Sequence, residues 1–128
     1  MREIKFRGKT MGWHWIYGLL TRKKIRNSGK LSYAIAQGDF SMSETIPVDE
    51  KTIGEYTGCQ DKNGVEIYEG DILIDTDDNS RLVVIFVEGG FEVKNFDNNK
   101  FEGYFPLMNF THYEVVGNII DGKIKAGD

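Results

Sequence analysis

A chain of 128 residues, 40% apolar and 12% aromatic, can fold as one domain and bury about two-thirds of its unfolded surface, which excludes a disordered chain. Fifteen glycines against two prolines predict short strands that reverse often. The net charge of −4 is uneven: residues 1–30 carry nine basic groups and one acid, a balance of +8, while residues 31–128 carry seven basic and nineteen acidic groups, a balance of −12.

Other classes are excluded on simple grounds. No apolar run approaches the ~20 residues that span a bilayer, so no membrane partner is expected. The opening Met-Arg-Glu-Ile-Lys-Phe-Arg has no apolar signal core, and a cytoplasmic location is expected. Cys59 is alone, which excludes an internal disulfide and a cysteine-cluster zinc site, and it reads as a small buried apolar residue.

In chain order, Ile4-Lys5-Phe6-Arg7 alternates as a strand with Ile4 and Phe6 inward and Lys5 and Arg7 outward. Gly8 and Gly12 bracket a turn into Trp13-His14-Trp15-Ile16-Tyr17, an aromatic strand with Trp13, Trp15 and Tyr17 on one face, so the two segments predict a hairpin. Gly18 ends or bulges the second strand. Thr21 to Lys30 reads as a basic loop with an Asn-Ser-Gly tip, and Leu31 to Ala36 as a further strand. Gln37 to Ser43 is a loop by pattern. Pro47 marks an edge or extended connection, and Asp49 can cap one helical turn over Asp49–Thr52.

The clearest turn is Asp61-Lys62-Asn63-Gly64, between Ile53–Cys59 and a return through Val65, Ile67 and Tyr68. Asp61 can bond the backbone ahead of it, and Gly64 can take a positive φ. Gly70-Asp71 turns into Ile72-Leu73-Ile74, and Asp75 to Ser80 is an acidic loop. Leu82 to Val87 is the most continuous apolar run and the expected most buried strand. Glu88-Gly89-Gly90 leads to a strand with Phe91, Val93 and Asn95 on one face and Glu92, Lys94 and Phe96 on the other. Asp97-Asn98-Asn99-Lys100 is another turn. Pro106 permits an irregular turn within Phe101–Phe110, Tyr113 to Ile120 is the final strand, and Gly122 to Asp128 a frayed tail.

Three stretches combine into a pattern that resembles the YopX family of phage and prophage proteins. They are Ile4–Lys9 with Trp15-Ile16-Tyr17-Gly18, then Thr52–Gly58 running into Asp61-Lys62-Asn63-Gly64 and Ile67–Ile72, and last Glu114-Val115-Val116-Gly117-Asn118-Ile119. The resemblance spans nearly the whole chain and implies a cytoplasmic, phage- or prophage-encoded, mainly β protein. It brings no established activity and no functional residues, since the matching positions are turn glycines and strand residues. The expected fold is mainly β with little helix: a C-terminal small SH3-like barrel over about 52–122, an added N-terminal β-lobe over about 1–50, and a tail at 123–128.

Tests for chemistry give little. Counted from Asp75, a calcium loop would need Gly at Ser80 and Glu at Phe86, so the acidic loop fails as an EF-hand and reads as a solvated hairpin tip. His14 and His112 are nearly a hundred residues apart, and neither sits in a metal-ligating arrangement. No nucleophile with a positioned base and no phosphate-cradling glycine motif is visible. Glu69 and Asp71 beside a glycine read as turn caps. No catalytic residue, metal or cofactor is therefore expected, and an enzyme is not expected.

The leading reading is a non-enzymatic phage or prophage accessory protein that acts through protein contacts, as a homo-oligomer or with a host or phage protein. The alternative is nucleic-acid binding by Lys5, Arg7, Lys9, Arg22, Lys23, Lys24 and Arg26 on phosphates, with Trp13 and Trp15 stacking on bases.

Overall fold

Short runs of β-branched and aromatic residues, broken by glycine and Asx turns, fold into twelve strands and one 3-10 turn among the described residues. The computed structural model describes residues 3–24, 29, 31–38, 45–104 and 112–124, without the side chains of 23, 24, 31, 123 and 124. The chain divides into two compact units between Tyr56 and Thr57. Among the described residues no helix is long and apolar enough to cross a membrane.

The first unit contains β1 (Phe6–Lys9), β2 (Trp15–Lys24), β3 (Leu31–Ala36), β4 (Thr45–Val48) and the start of β5 (Gly54–Gln60), ordered β4-β3-β2-β1-β5. The predicted β1–β2 hairpin forms, with Arg7 paired to Tyr17 and Lys9 to Trp15. Three expectations change. Trp13 lies in the turn, not in a strand, at φ 63°. The segment Thr21–Lys24, expected as loop, extends β2 and pairs with residues 31–34 of β3, because ladder bonds satisfy its backbone whatever its side chains prefer. Gly18 sits inside β2, where a Cβ would meet the Ala36 carbonyl oxygen at 2.0 Å. Pro47 stands on edge strand β4, where its missing N–H costs no central ladder bond. Asp49 caps the 3-10 turn Glu50–Thr52, accepting from Lys51 N at 3.0 Å.

The inward and outward sides expected of residues 4–7 also change: Ile4 is 60% exposed, whereas Arg7, and Lys9 beyond it, are each 6% exposed. Indole faces supply the reason. The Arg7 guanidinium lies 4.6 Å from the Trp15 ring, and Lys9 Nζ lies 4.8 Å from Trp15 and 5.2 Å from Trp13. Aromatic faces and long aliphatic stems let these cations be covered without an apolar partner.

The second unit contains the rest of β5, then β6 (Glu66–Tyr68), β7 (Asp71–Asp75), β8 (Arg81–Val87), β9 (Gly90–Asn95), β10 (Phe101–Tyr104), β11 (Tyr113–Asn118) and β12 (Lys123–Ile124). Its main sheet is antiparallel in the order β10-β9-β8-β7-β11-β12. The mainly β class stands, but no sheet closes among the described residues, so the barrel is not confirmed. Strand length and turn spacing look alike in an open sheet and a barrel. Closure depends on pairing between strands remote in sequence.

The core explains a second correction. Leu73, Leu82, Val84, Phe91, Val93 and Tyr113 pack with Ile67 on one side of the sheet, with Cys59 half-buried against them. Ile72, Ile74 and Val116 pack separately. β7 has apolar cover on both faces, Leu73 in the first cluster and Ile72 and Ile74 in the second, so it is the most buried of the described strands, with Asp71 to Ile74 all buried. β8 buries only Leu82 and Val84, and Phe86 and Val87 are each 41% exposed. A continuous apolar run thus marks a strand but not its place in the sheet. Lys123 and Ile124, expected in the tail, pair with Asn118 and Gly117. The irregular turn expected at Pro106 lies outside the described residues.

Two acid-capped turns fix the frame. Asp61, 6% exposed, accepts from Asn63 N at 2.8 Å and Val65 N at 2.9 Å through Oδ1, and from Val115 N at 2.9 Å through Oδ2. Asp71, 1% exposed, accepts from Tyr68 N at 2.7 Å, the turn-capping role expected of it.

Candidate functional site

The β1–β2 hairpin gathers Arg7, Lys9, Trp13 and Trp15. Thr10 N bonds His14 O at 2.9 Å, Trp13 N bonds Thr10 O at 2.9 Å, and Lys9 Nζ reaches Trp13 O at 3.3 Å. Lys5 Nζ lies 5.3 Å from the Tyr56 ring and 3.6 Å from the Glu3 carboxylate. A covered cation cannot neutralise a phosphate from solvent, so the hairpin offers exposed Trp13 and Tyr17, not a row of free cations. Arg22 is exposed at the other end of β2, seven residues or about 23 Å from Trp15. Lys23 and Lys24 are placed only by their backbone, opposite Ser32 and Leu31, and Arg26 lies outside the described residues. A shallow cleft of about 380 Å³ lies between Lys5, Tyr17, Leu19 and Ala36.

In the second unit, the β7–β8 and β9–β10 loops are near copies. Asp75–Ser80 is closed by Asp75 N to Ser80 O at 2.8 Å and Asn79 N to Asp75 O at 2.7 Å, and Asn95–Lys100 by Asn95 N to Lys100 O at 2.7 Å and Asn99 N to Asn95 O at 2.8 Å. The first side chain of each loop accepts two residues on: Asp75 Oδ1 from Asp77 N at 2.8 Å, Asn95 Oδ1 from Asp97 N at 2.9 Å. The fourth does likewise: Asp78 Oδ1 from Ser80 N at 2.8 Å, Asn98 Oδ1 from Lys100 N at 2.9 Å. Asn79 and Asn99 both take left-handed φ, 62° and 61°.

Their charges differ. In the second loop, Arg81 pairs with Asp97. In the first, the carboxylates of Asp75 and Asp77 and the imidazole of His112 bring ligand atoms within 4.8 Å of one another. Thr76 places His112 by donating to its carbonyl from N at 2.9 Å and Oγ1 at 2.8 Å. Asp78 is engaged elsewhere: the Ser80 hydroxyl and N–H hold its carboxyl below the ordinary carboxylate range. Next to His112, burial pushes the Tyr113 phenol above its usual 10.0, and Asp75, Asp78, Glu102 and Asp77 add to that rise. Counting along the chain missed His112, because its contact with the loop spans 36 residues. The sequence drew attention to Asp75 and Asp77 only through the spacing of acids tested against a calcium loop.

A third feature is β10, the end strand of its sheet among the described residues. Cross-strand registers set Val83, Lys94 and Phe101 in one row and Ile85, Glu92 and Tyr104 in the next. Phe101 is 51% and Tyr104 52% exposed, with rings 4.7 Å apart.

A crystal structure of protein EF1440 from Enterococcus faecalis is similar to this chain, with 22% identity, a TM-score of 0.48, and coverage of 93% of this chain and 94% of that one. No curated protein matches it. The family model described as YopX protein matches residues 5–122, most of the chain's length, and the chain therefore belongs to the YopX family.

Proposed function

We propose that this chain is a non-enzymatic, phage- or prophage-encoded accessory protein of the host cytoplasm that acts through protein contacts and self-associates through the β10 edge. The observation that carries this reading is the half-exposed Phe101 and Tyr104 on an end strand. Natural edges are blunted by proline, lysine or a bulge, as Pro47 does for β4; β10 has a register shift but presents aromatics. The occupant is a second copy of the chain. Antiparallel β10–β10 pairing about a two-fold between Glu102 and Gly103 sets Phe101 against Tyr104 of the second copy. It also sets Glu102 against Gly103, so like charges do not meet.

Light scattering on a size-exclusion column tests this. A discrete dimer is expected, reduced to monomer by Glu102→Pro or by Phe101→Glu with Tyr104→Glu. A wild-type monomer at every concentration tried overturns the reading. The second reading, nucleic-acid binding, draws on the exposed Trp13, Tyr17 and Arg22. Salt-sensitive anisotropy of labelled DNA or RNA that weakens in Lys23→Glu/Lys24→Glu would support it, and no binding at low salt would remove it.

A further inference from the structure

We propose that Asp75, Asp77 and His112 form a binding site for a divalent transition-metal ion of the zinc type. The set offers two carboxylates and one imidazole, with ligand atoms already within 4.8 Å of one another. Tetrahedral metal–ligand bonds of about 2.0–2.2 Å place neighbouring ligand atoms about 3.3–3.6 Å apart, so closure needs a movement of up to about 1.5 Å. The exposed Asp77 side chain can supply it by rotation about χ1 and χ2.

The twin loop shows that the charge of Asp75 is not needed for the turn. It adopts the same hydrogen-bond pattern with Asn95 in the place of Asp75 and Asn98 in the place of Asp78, so an amide oxygen serves the turn as well as a carboxylate. Its one carboxylate, Asp97, is neutralised by Arg81. Among the described residues no cationic side chain forms a salt bridge to Asp75 or Asp77. What faces them instead is the imidazole of His112 from outside the loop, a residue whose backbone carbonyl accepts two hydrogen bonds from Thr76.

The donor set also selects the ion. Calcium takes six to eight oxygens, whereas three protein ligands including an imidazole nitrogen suit zinc, cobalt, nickel or copper with water completing the shell. Asp78 is not among the groups whose ligand atoms converge, and its Oδ1 accepts from Ser80 N and Oγ.

The test uses the untagged full chain stripped with chelator, titrated with Co²⁺ by visible absorption and with Zn²⁺ by calorimetry. One ion per chain is expected, with Zn²⁺ displacing Co²⁺ and excess Ca²⁺ leaving both unchanged. His112→Ala and Asp77→Asn should each weaken binding by at least about tenfold, the scale seen when even outer-shell partners are lost. Asp75→Asn should do the same while remaining folded, since Asn95 already serves that turn, and Asp97→Asn should have no effect. Absence of saturable uptake, uptake unchanged in His112→Ala, or equal competition by Ca²⁺ would each overturn the assignment.

Discussion

The loops Asp75–Ser80 and Asn95–Lys100 share one backbone solution but distribute charge differently. Each uses an Asx side chain at its first and fourth positions and a left-handed asparagine at its fifth. The second neutralises its acid with Arg81; the first leaves its acids beside His112. Asx positions one and four thus answer to the turn, while carboxylates beyond that need answer to something else. The difference separates what a loop requires to fold from what it carries in addition.

The largest expected effect calibrates this comparison at a third Asx turn. Asp61 takes three backbone N–H groups while buried, whereas the twin loops are exposed. Asp61→Ala should lower unfolding free energy by about 3 kcal/mol or more, because it orphans buried donors. Urea denaturation reads this, and a loss under 1 kcal/mol would show that water replaces the carboxylate.

The next effect should be equal in the two loops. Asn79→Ala and Asn99→Ala each force alanine into the left-handed region and should cost about 1 kcal/mol, while Asn79→Gly and Asn99→Gly should be close to neutral. Unequal alanine costs in thermal melts would break the equivalence of the two backbones.

The smallest effect distinguishes the loops by pH. Tyr113 has a raised folded pKa, first from burial and then from acids that include Asp75, Asp78 and Asp77. The stability linked to its neutral form is complete below the unfolded value near 10.0 and is lost as pH rises through the higher folded value. Stability followed across that alkaline range should fall less steeply in Asp75→Asn/Asp77→Asn than in wild type, and Asp97→Asn should not change the slope.

Features set by near neighbours were legible in the sequence. The Asp61–Gly64 turn, the Asp49 cap, Pro47 on an edge and the Phe91/Val93 face each depend on a few adjacent residues, and each formed as expected. Features set by remote pairing were not. Thr21–Lys24 looks like a loop until β3 lies beside it, and Arg7 looks like a surface residue until Trp15 covers it. Leu82–Val87 is more continuously apolar than Asp71–Asp75, yet β7 is buried more fully because its pairing with β11 brings Val116 to Ile72 and Ile74 in a second cluster. The candidate metal site belongs to the same class, since His112 meets the acidic loop only through that pairing.

The two oxygens of Asp61 act at different stages of synthesis. Oδ1 binds residues two and four positions ahead and can close its turn as soon as the hairpin emerges. Oδ2 waits for Val115, fifty-four residues later. Until then β7 lacks β11, and one edge of the most buried strand stands open. A chain stopped before residue 113 would therefore hold a finished turn on an unfinished sheet, so release of the last strand from the ribosome sets when the second unit can complete its core.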